Sequence, residues 1–173
     1  MKKVLSLLAI TLVLISCSGD DDNKSSNVSV EGTWKMTVFG GETAVDIDMD
    51  GDSSNNLITE TGCYENETFV FNADGTGMVN STSYVDIQLD IVAGSTDEYE
   101  YTIECVQEND STTMTWTQNG SSITVISDDA SFSGTKDGDK ITFVIPNGYD
   151  LEVVEGDGTA FLIEDLTIVY EKQ

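Results

Sequence analysis

The chain has 173 residues, 32 of them acidic and 7 basic, and a formal net charge of −25 at pH 7. All the basic residues are lysines and histidine is absent, which removes Ser–His and Cys–His catalytic pairs and leaves no cationic cluster to hold nucleic acid or anionic headgroups. Such a charge suits solubility, divalent cations or a salty medium.

Lys2 and Lys3 precede an uncharged, mostly apolar run from Val4 to Ile15. That run is well short of the ~20 residues that span a bilayer and has the length of a signal-peptide core. Leu14-Ile15-Ser16-Cys17 then resembles the lipobox of bacterial lipoproteins. The resemblance implies that residues 1–16 are removed and that Cys17 is acylated, making outer-membrane lipid its partner. Two or more acyl chains give a stable anchor, at roughly 0.8 kcal/mol per buried CH₂. Ser18-Gly19-Asp20-Asp21-Asp22 resembles the signal that sends Bacteroidetes lipoproteins to the outer face of the outer membrane, so cell-surface exposure is expected. Residues 17–28 read as a lipidated, flexible acidic linker, and 29–173 as one domain. Loss of the leader removes two lysines and no acids, leaving a charge near −27.

Strand-like alternation begins at Gly32, with Trp34, Met36 and Val38 on one face, and Gly40-Gly41 breaks it. The stretch from Glu42 to Gly62 is polar and acidic. Phe69 and Phe71 open the next strand, and Asn72-Ala73-Asp74-Gly75 turns into Thr76–Thr82. Val85, Ile87, Leu89 and Ile91 share a face, as do Tyr99, Tyr101, Ile103 and Cys105, and further on Met114 and Trp116. Asn119-Gly120 is a hairpin signal before Ser122–Ile126. Phe132 leads to a turn at Asp137-Gly138-Asp139 and a strand from Lys140 to Ile145. Pro146-Asn147-Gly148 reads as a turn into Leu151–Val154, and Glu155-Gly156-Asp157-Gly158 as one into a last strand, Ala160–Glu171. The pattern amounts to about nine or ten short strands joined by adjacent hairpins, which favours an up-and-down barrel over a sandwich.

Gly32-Thr33-Trp34 resembles the Gly-x-Trp signature of the lipocalins. With the lipobox, the segment from Thr68 to Gly77 preceded by Cys63, and the ending Val169-Tyr170-Glu171-Lys172, the chain resembles the lipocalin-like lipoproteins of Bacteroidetes over residues 30–173. The resemblance implies an all-β fold, a lipocalin-like antiparallel up-and-down barrel of about 8–10 strands. Lipocalins pack an arginine over the signature tryptophan; with no arginine here, Lys172 is the candidate to close the barrel with Trp34. The pocket residues of that family cannot be carried over.

With Cys17 committed to lipid, Cys63 and Cys105 form an even pair in an exported chain and are expected to be disulfide-bonded. A zinc site lacks ligands. The acidic loop follows a DxDxDG pattern at Asp46, Asp48, Asp50 and Gly51, with Asp52 and Ser54 at the next ligand positions of an EF-hand-like loop. Position 12 is Leu57, so Glu60 is the nearest carboxylate to complete a structural calcium site. Asp110-Ser111-Thr112 resembles a Bacteroidetes O-glycosylation acceptor in a loop.

No catalytic residues are expected. The leading function is a non-enzymatic, surface-anchored binding protein for a small apolar ligand in the barrel mouth. The alternatives are a structural or accessory lipoprotein whose barrel is filled by Trp34, Phe69, Phe71 and Trp116, and a carbohydrate-binding β-sandwich with structural calcium. A glycosidase with paired carboxylates ranks last.

Overall fold

The computed structural model describes residues 28–127, 130–155 and 158–173. The expected signal segment 1–16, the expected lipidation site Cys17, the rest of the expected linker up to residue 27 and the expected turn at Gly156-Asp157 lie outside them. Eight antiparallel strands pair in chain order and close on themselves: β1 (Gly32–Gly40), β2 (Thr68–Phe71), β3 (Thr76–Ile91), β4 (Tyr99–Asn119), β5 (Ser122–Ser127), β6 (Ala130–Asp137), β7 (Lys140–Glu155) and β8 (Gly158–Lys172). β1 pairs with both β2 and β8, so the hydrogen-bonded circuit has no open seam. This is the up-and-down barrel that the succession of hairpins predicts, and its closure excludes the β-sandwich alternative. The one helix among the described residues, α1 (Leu57–Thr61), lies in the connection between β1 and β2.

The expected strands are more numerous than the observed ones because polar residues that look like breaks are bulges inside longer strands. The β3–β4 ladder passes from Ser81↔Asp110 to Ser83↔Gln107, setting Thr82 against two residues of β4. That extra residue explains why Tyr101, Ile103 and Cys105 face inward at odd positions while Met114 and Trp116 do so at even ones. Asp110-Ser111-Thr112 is therefore mid-strand, with Ser111 exposed and its hydroxyl donating to Asn80 Oδ1. Pro146-Asn147-Gly148 likewise reverses nothing: β7 runs through it, opposing Asp165 between Ile145↔Leu166 and Tyr149↔Glu164. Asn147 takes a left-handed φ of 51° and donates its N–H to Asp165 Oδ1 at 3.0 Å.

A third bulge corrects the reading of the first strand. Met36 pairs with Tyr170 and Val38 with Val169, so Thr37 is extra. The inward face passes from Trp34 and Met36 to Phe39, which packs on the core in place of the expected Val38.

Two clusters fill the interior. The lower one, at the end where the described chain starts and finishes, gathers Val30, Trp34, Phe69, Phe71, Phe143 and Tyr170 with their neighbours. Phe69 stacks on Tyr170 at 4.3 Å and meets Phe71 and Phe143 edge-on. Trp116 is only partly buried and rims this base, its indole N–H donating to the carbonyls of Asn72 and Thr76. The upper cluster, Ile47, Leu57, Tyr149, Leu151 and Leu166, sits where β2, β5 and β6 have already ended. There the upper parts of β3–β4 and β7–β8 continue as two arms, joined where the Tyr101 hydroxyl donates to the Glu152 carbonyl at 3.2 Å.

The connection 41–67 folds down between the arms. Ile47 and Leu57 bury their side chains there, so the mouth of the barrel is plugged by the chain itself. Asn56 makes this possible: above the short β2, its Oδ1 accepts from Phe39 N–H and caps α1 at Ile58 N–H, while its Nδ2 donates to Thr37 C=O. One side chain thus does for β1 what a neighbouring strand would do. Gly40-Gly41 lets the loop come this close, since a Cβ at Gly40 would lie 1.7 Å from Asn55 O and one at Gly41 2.6 Å from the Glu164 carboxylate.

Cys63 and Cys105 are disulfide-bonded, as the sequence predicts, with Cα atoms 5.5 Å apart and a sequence separation of 42. The bond ties the end of the plug to β4. Replacing both cysteines by serine is expected to lower unfolding free energy by about 4 kcal/mol, the chain-entropy value for a loop of this length. Urea denaturation checks this, and limited proteolysis of the variant is expected to cut first within 41–67.

Candidate functional site

The base of the barrel is closed by Trp34. Its ring is fully buried and its indole N–H donates to Val30 C=O at 2.6 Å. Val30 is held in turn by its own N–H to Gln118 Oε1, and Gln118 Nε2 donates to Val28 C=O. Lys172 lies over the indole at 5.5 Å, in the position the missing arginine would take. Lys136, which the sequence does not single out, lies 5.8 Å from the same ring. Its side chain is buried, with Nζ donating to Gly138 C=O at 2.7 Å. Its alternation with Phe132 and Gly134 is the available signal, obscured because a lysine in that register reads as exposed. All four lysines among the described residues, Lys35, Lys136, Lys140 and Lys172, belong to this end, where Lys140 pairs with Glu171 at 3.0 Å. Among the described residues, these packed groups seal the base.

The space for a ligand is on the side. Because β5 and β6 end early, a cavity of about 260 Å³ opens above the lower cluster, lined by Phe69, Phe132, Phe143, Ile168 and Tyr170, with Val79, Ile145, Thr112 and Ser127 completing its wall. None of the described lining residues carries a charge at neutral pH. Burial pushes the Tyr170 hydroxyl far above its ordinary value, and the Glu67 carboxylate adds to the shift, so the phenol stays protonated and neutral. This is a dry, aromatic-walled space whose polar groups are hydroxyls. It lies among inward-facing side chains above the lower cluster, whereas at the expected mouth site Ile47 and Leu57 are buried.

The acidic loop offers six candidate cation ligands, and three of them come together. The carboxylate oxygens of Asp46, Asp48 and Asp50 lie within 4.8 Å of one another. The turn that gathers them is made by carboxylate oxygens and neighbouring amides: Asp46 Oδ2 accepts from Gly51 N–H, Asp48 Oδ1 from Asp50 N–H and Asp50 Oδ1 from Asp52 N–H. Gly51 supplies the left-handed φ of 97° the turn needs. Asp46 Oδ1 is buried with no hydrogen-bond donor, and a buried carboxylate oxygen without a partner is costly. That orphaned atom fits a hard cation. The side chains of Asp52, Ser54 and Glu60 do not join the cluster. Ser54 Oγ accepts from Asn56 N–H, and Glu60, buried under the loop, accepts from Ile47 N–H at 2.9 Å. Glu60 therefore shapes the loop from inside.

A second buried carboxylate has no sequence signal. Glu67 is 3% exposed and accepts from Thr82 N–H, Thr82 Oγ1 and Ser83 N–H. It satisfies the amides that the β3–β4 bulge frees, and so fixes where the arm leaves the barrel.

Comparison with protein-family models, with curated proteins and with solved structures finds no match in any of the three.

The plug has a titratable latch. Glu164 on β8 accepts from Glu42 N–H, Thr43 N–H and Thr43 Oγ1, and these hydrogen bonds, chiefly those of Thr43, hold its carboxyl below the ordinary value of 4.5. A depressed folded value means the latch contributes fully above the ordinary carboxylate range and is lost as pH falls through the depressed value. The Thr43 amide proton, followed by NMR, is expected to titrate with a midpoint below 4.5, and that titration is expected to vanish in Glu164→Gln.

Proposed function

We propose that the chain is a surface-displayed outer-membrane lipoprotein, held by lipid at Cys17, whose lipocalin-like barrel binds a small, neutral, apolar molecule without chemical turnover. The lipobox resemblance supports the address. The observation that carries the ligand class is the side cavity of about 260 Å³, with no charge among its described lining residues. A carboxylate buried there would have no cationic partner and would cost several kcal/mol, so neutral ligands are favoured over fatty acids. The Gly-x-Trp barrel supports the likeness to Bacteroidetes lipocalin-like lipoproteins.

The ligand test compares two probes of equal chain length. 1-Octanol is expected to perturb NMR signals of Phe132, Phe143 and Ile168, and octanoate at least about tenfold more weakly. Val79→Phe, which fills the cavity from β3, is expected to abolish octanol binding while leaving the fold intact. If neither probe binds, the reading fails in favour of a filled, structural barrel, the alternative that the packed lower cluster supports.

A structural calcium ion at Asp46, Asp48 and Asp50 belongs to the same proposal, on the strength of the orphaned Asp46 Oδ1. With three carboxylates and water completing its shell, affinity on the order of 10⁻⁴–10⁻³ M is expected. Calorimetry with Ca²⁺ checks this, and Asp48→Asn is expected to remove the heat; no heat in the unsubstituted protein at millimolar Ca²⁺ refutes the ion.

A further inference from the structure

The two arms enclose a second space, lined by different residues from the side cavity and from the calcium loop. It is an open cleft of about 540 Å³ between β3 and β7. Three kinds of group meet in it. Tyr64, stacked on Phe39 at 4.7 Å, gives aromatic surface at its floor, over the buried ring of Tyr149. Tyr84 and Phe161 stand at its rim, 45% and 68% exposed. Asp86, Asp150 and Glu152 bring three carboxylates to its margin, on the strand faces that alternate with the inward Ile87, Tyr149 and Leu151.

None of these acids is neutralised by the protein. Among the described residues the one ion pair is Lys140–Glu171, at the far end of the barrel, and no lysine lines the cleft. The carboxylates of Asp86 and Asp150 have no hydrogen-bond donor among the described residues, and that of Glu152 accepts there only from Thr159 Oγ1 at 2.7 Å. The Tyr149 hydroxyl is pushed up to about 12, first by burial and then by the charge of Glu164, Tyr101 and Glu60. The carboxylates of Glu164 and Glu60 thus lie near enough to the buried Tyr149 to act on it. Exposed aromatic faces beside unpaired carboxylates attract one ligand chemistry above others: a positively charged organic head, held by the ring quadrupoles and by the field of the acids. Metal ions would gain nothing from the rings, and anions are repelled.

We propose that the cleft between the arms is a binding site for an alkylammonium ligand, with Tyr84 and Phe161 closing on the cationic head and Asp86, Asp150 and Glu152 supplying the countercharge. The site is independent of the barrel cavity and of the calcium loop, and its failure leaves both untouched.

The probe is choline, set against its uncharged isostere 3,3-dimethyl-1-butanol, by calorimetry and NMR on the protein with its plug and disulfide intact. Choline is expected to bind, to shift the signals of Tyr84 and Phe161, and to bind at least about tenfold more tightly than the isostere. The variant Asp86→Asn/Glu152→Gln is expected to weaken choline at least about tenfold, the amide introduced on β7 keeping an acceptor for Thr159. Asp137→Asn/Asp139→Asn, which removes the same net charge at the base, is expected to leave choline affinity unchanged and so separates a site from general attraction to an acidic protein. Phe161→Ala tests the ring and is expected to weaken choline without changing the fold. Equal affinity for choline and the isostere overturns the proposal, as does equal loss in the two double variants or binding of a neutral sugar such as glucose at these residues in place of choline.

Discussion

The barrel depends on one buried side chain at its base. Trp34 sits where β1, β6 and β8 converge, and a ring of that size, wholly removed from water, contributes several kcal/mol through its area alone. Its N–H must find an acceptor when buried, and Val30 C=O supplies one by bringing the incoming chain across the opening. The two ammonium groups near its ring, Lys136 and Lys172, draw the ends of β6 and β8 to the same point. Closure, entry of the chain and exit of the last strand are thus settled by one packing arrangement.

The upper half is organised differently. Above β2, β5 and β6 there are too few strands to continue a circuit, and the structure uses substitutes for missing hydrogen-bond partners. Asn56 serves the open edge of β1, and Glu67 serves the bulge of β3. The disulfide and Glu164 then pin the two ends of the connecting loop. Each device sits at a place where backbone amides would otherwise be unpaired, and together they turn a long loop into an interior element.

The barrel was legible from the sequence because its two sources of information are local: alternation of apolar residues and turn residues between strands. The disulfide was legible from the count of cysteines, and Lys172 from the lipocalin pattern. What escaped were effects of one extra residue. The bulge at Thr37 replaces Val38 with Phe39 inside, and nothing in Lys35-Met36-Thr37-Val38 marks it. Pro146-Asn147-Gly148 has the composition of a hairpin turn, and only pairing with β8 decides that it is a bulge. Glu60 and Glu67 were indistinguishable from the other acids, since burial of a carboxylate is decided by which amides lack partners in three dimensions. The acidic loop was half legible: the spacing of its aspartates names the three that converge, and the roles of Ser54 and Glu60 follow from contacts made elsewhere in the plug.

The placement of the lysines has a consequence beyond the seal they form. With Lys35, Lys136, Lys140 and Lys172 at one pole and unpaired acids along the arms at the other, charge is distributed unevenly along the barrel axis, the base being the less negative end. Next to a negatively charged surface the domain therefore favours the base toward that surface and the arms away from it. The field orients the domain before any contact is made, presenting the cleft and the acidic loop to the surrounding medium.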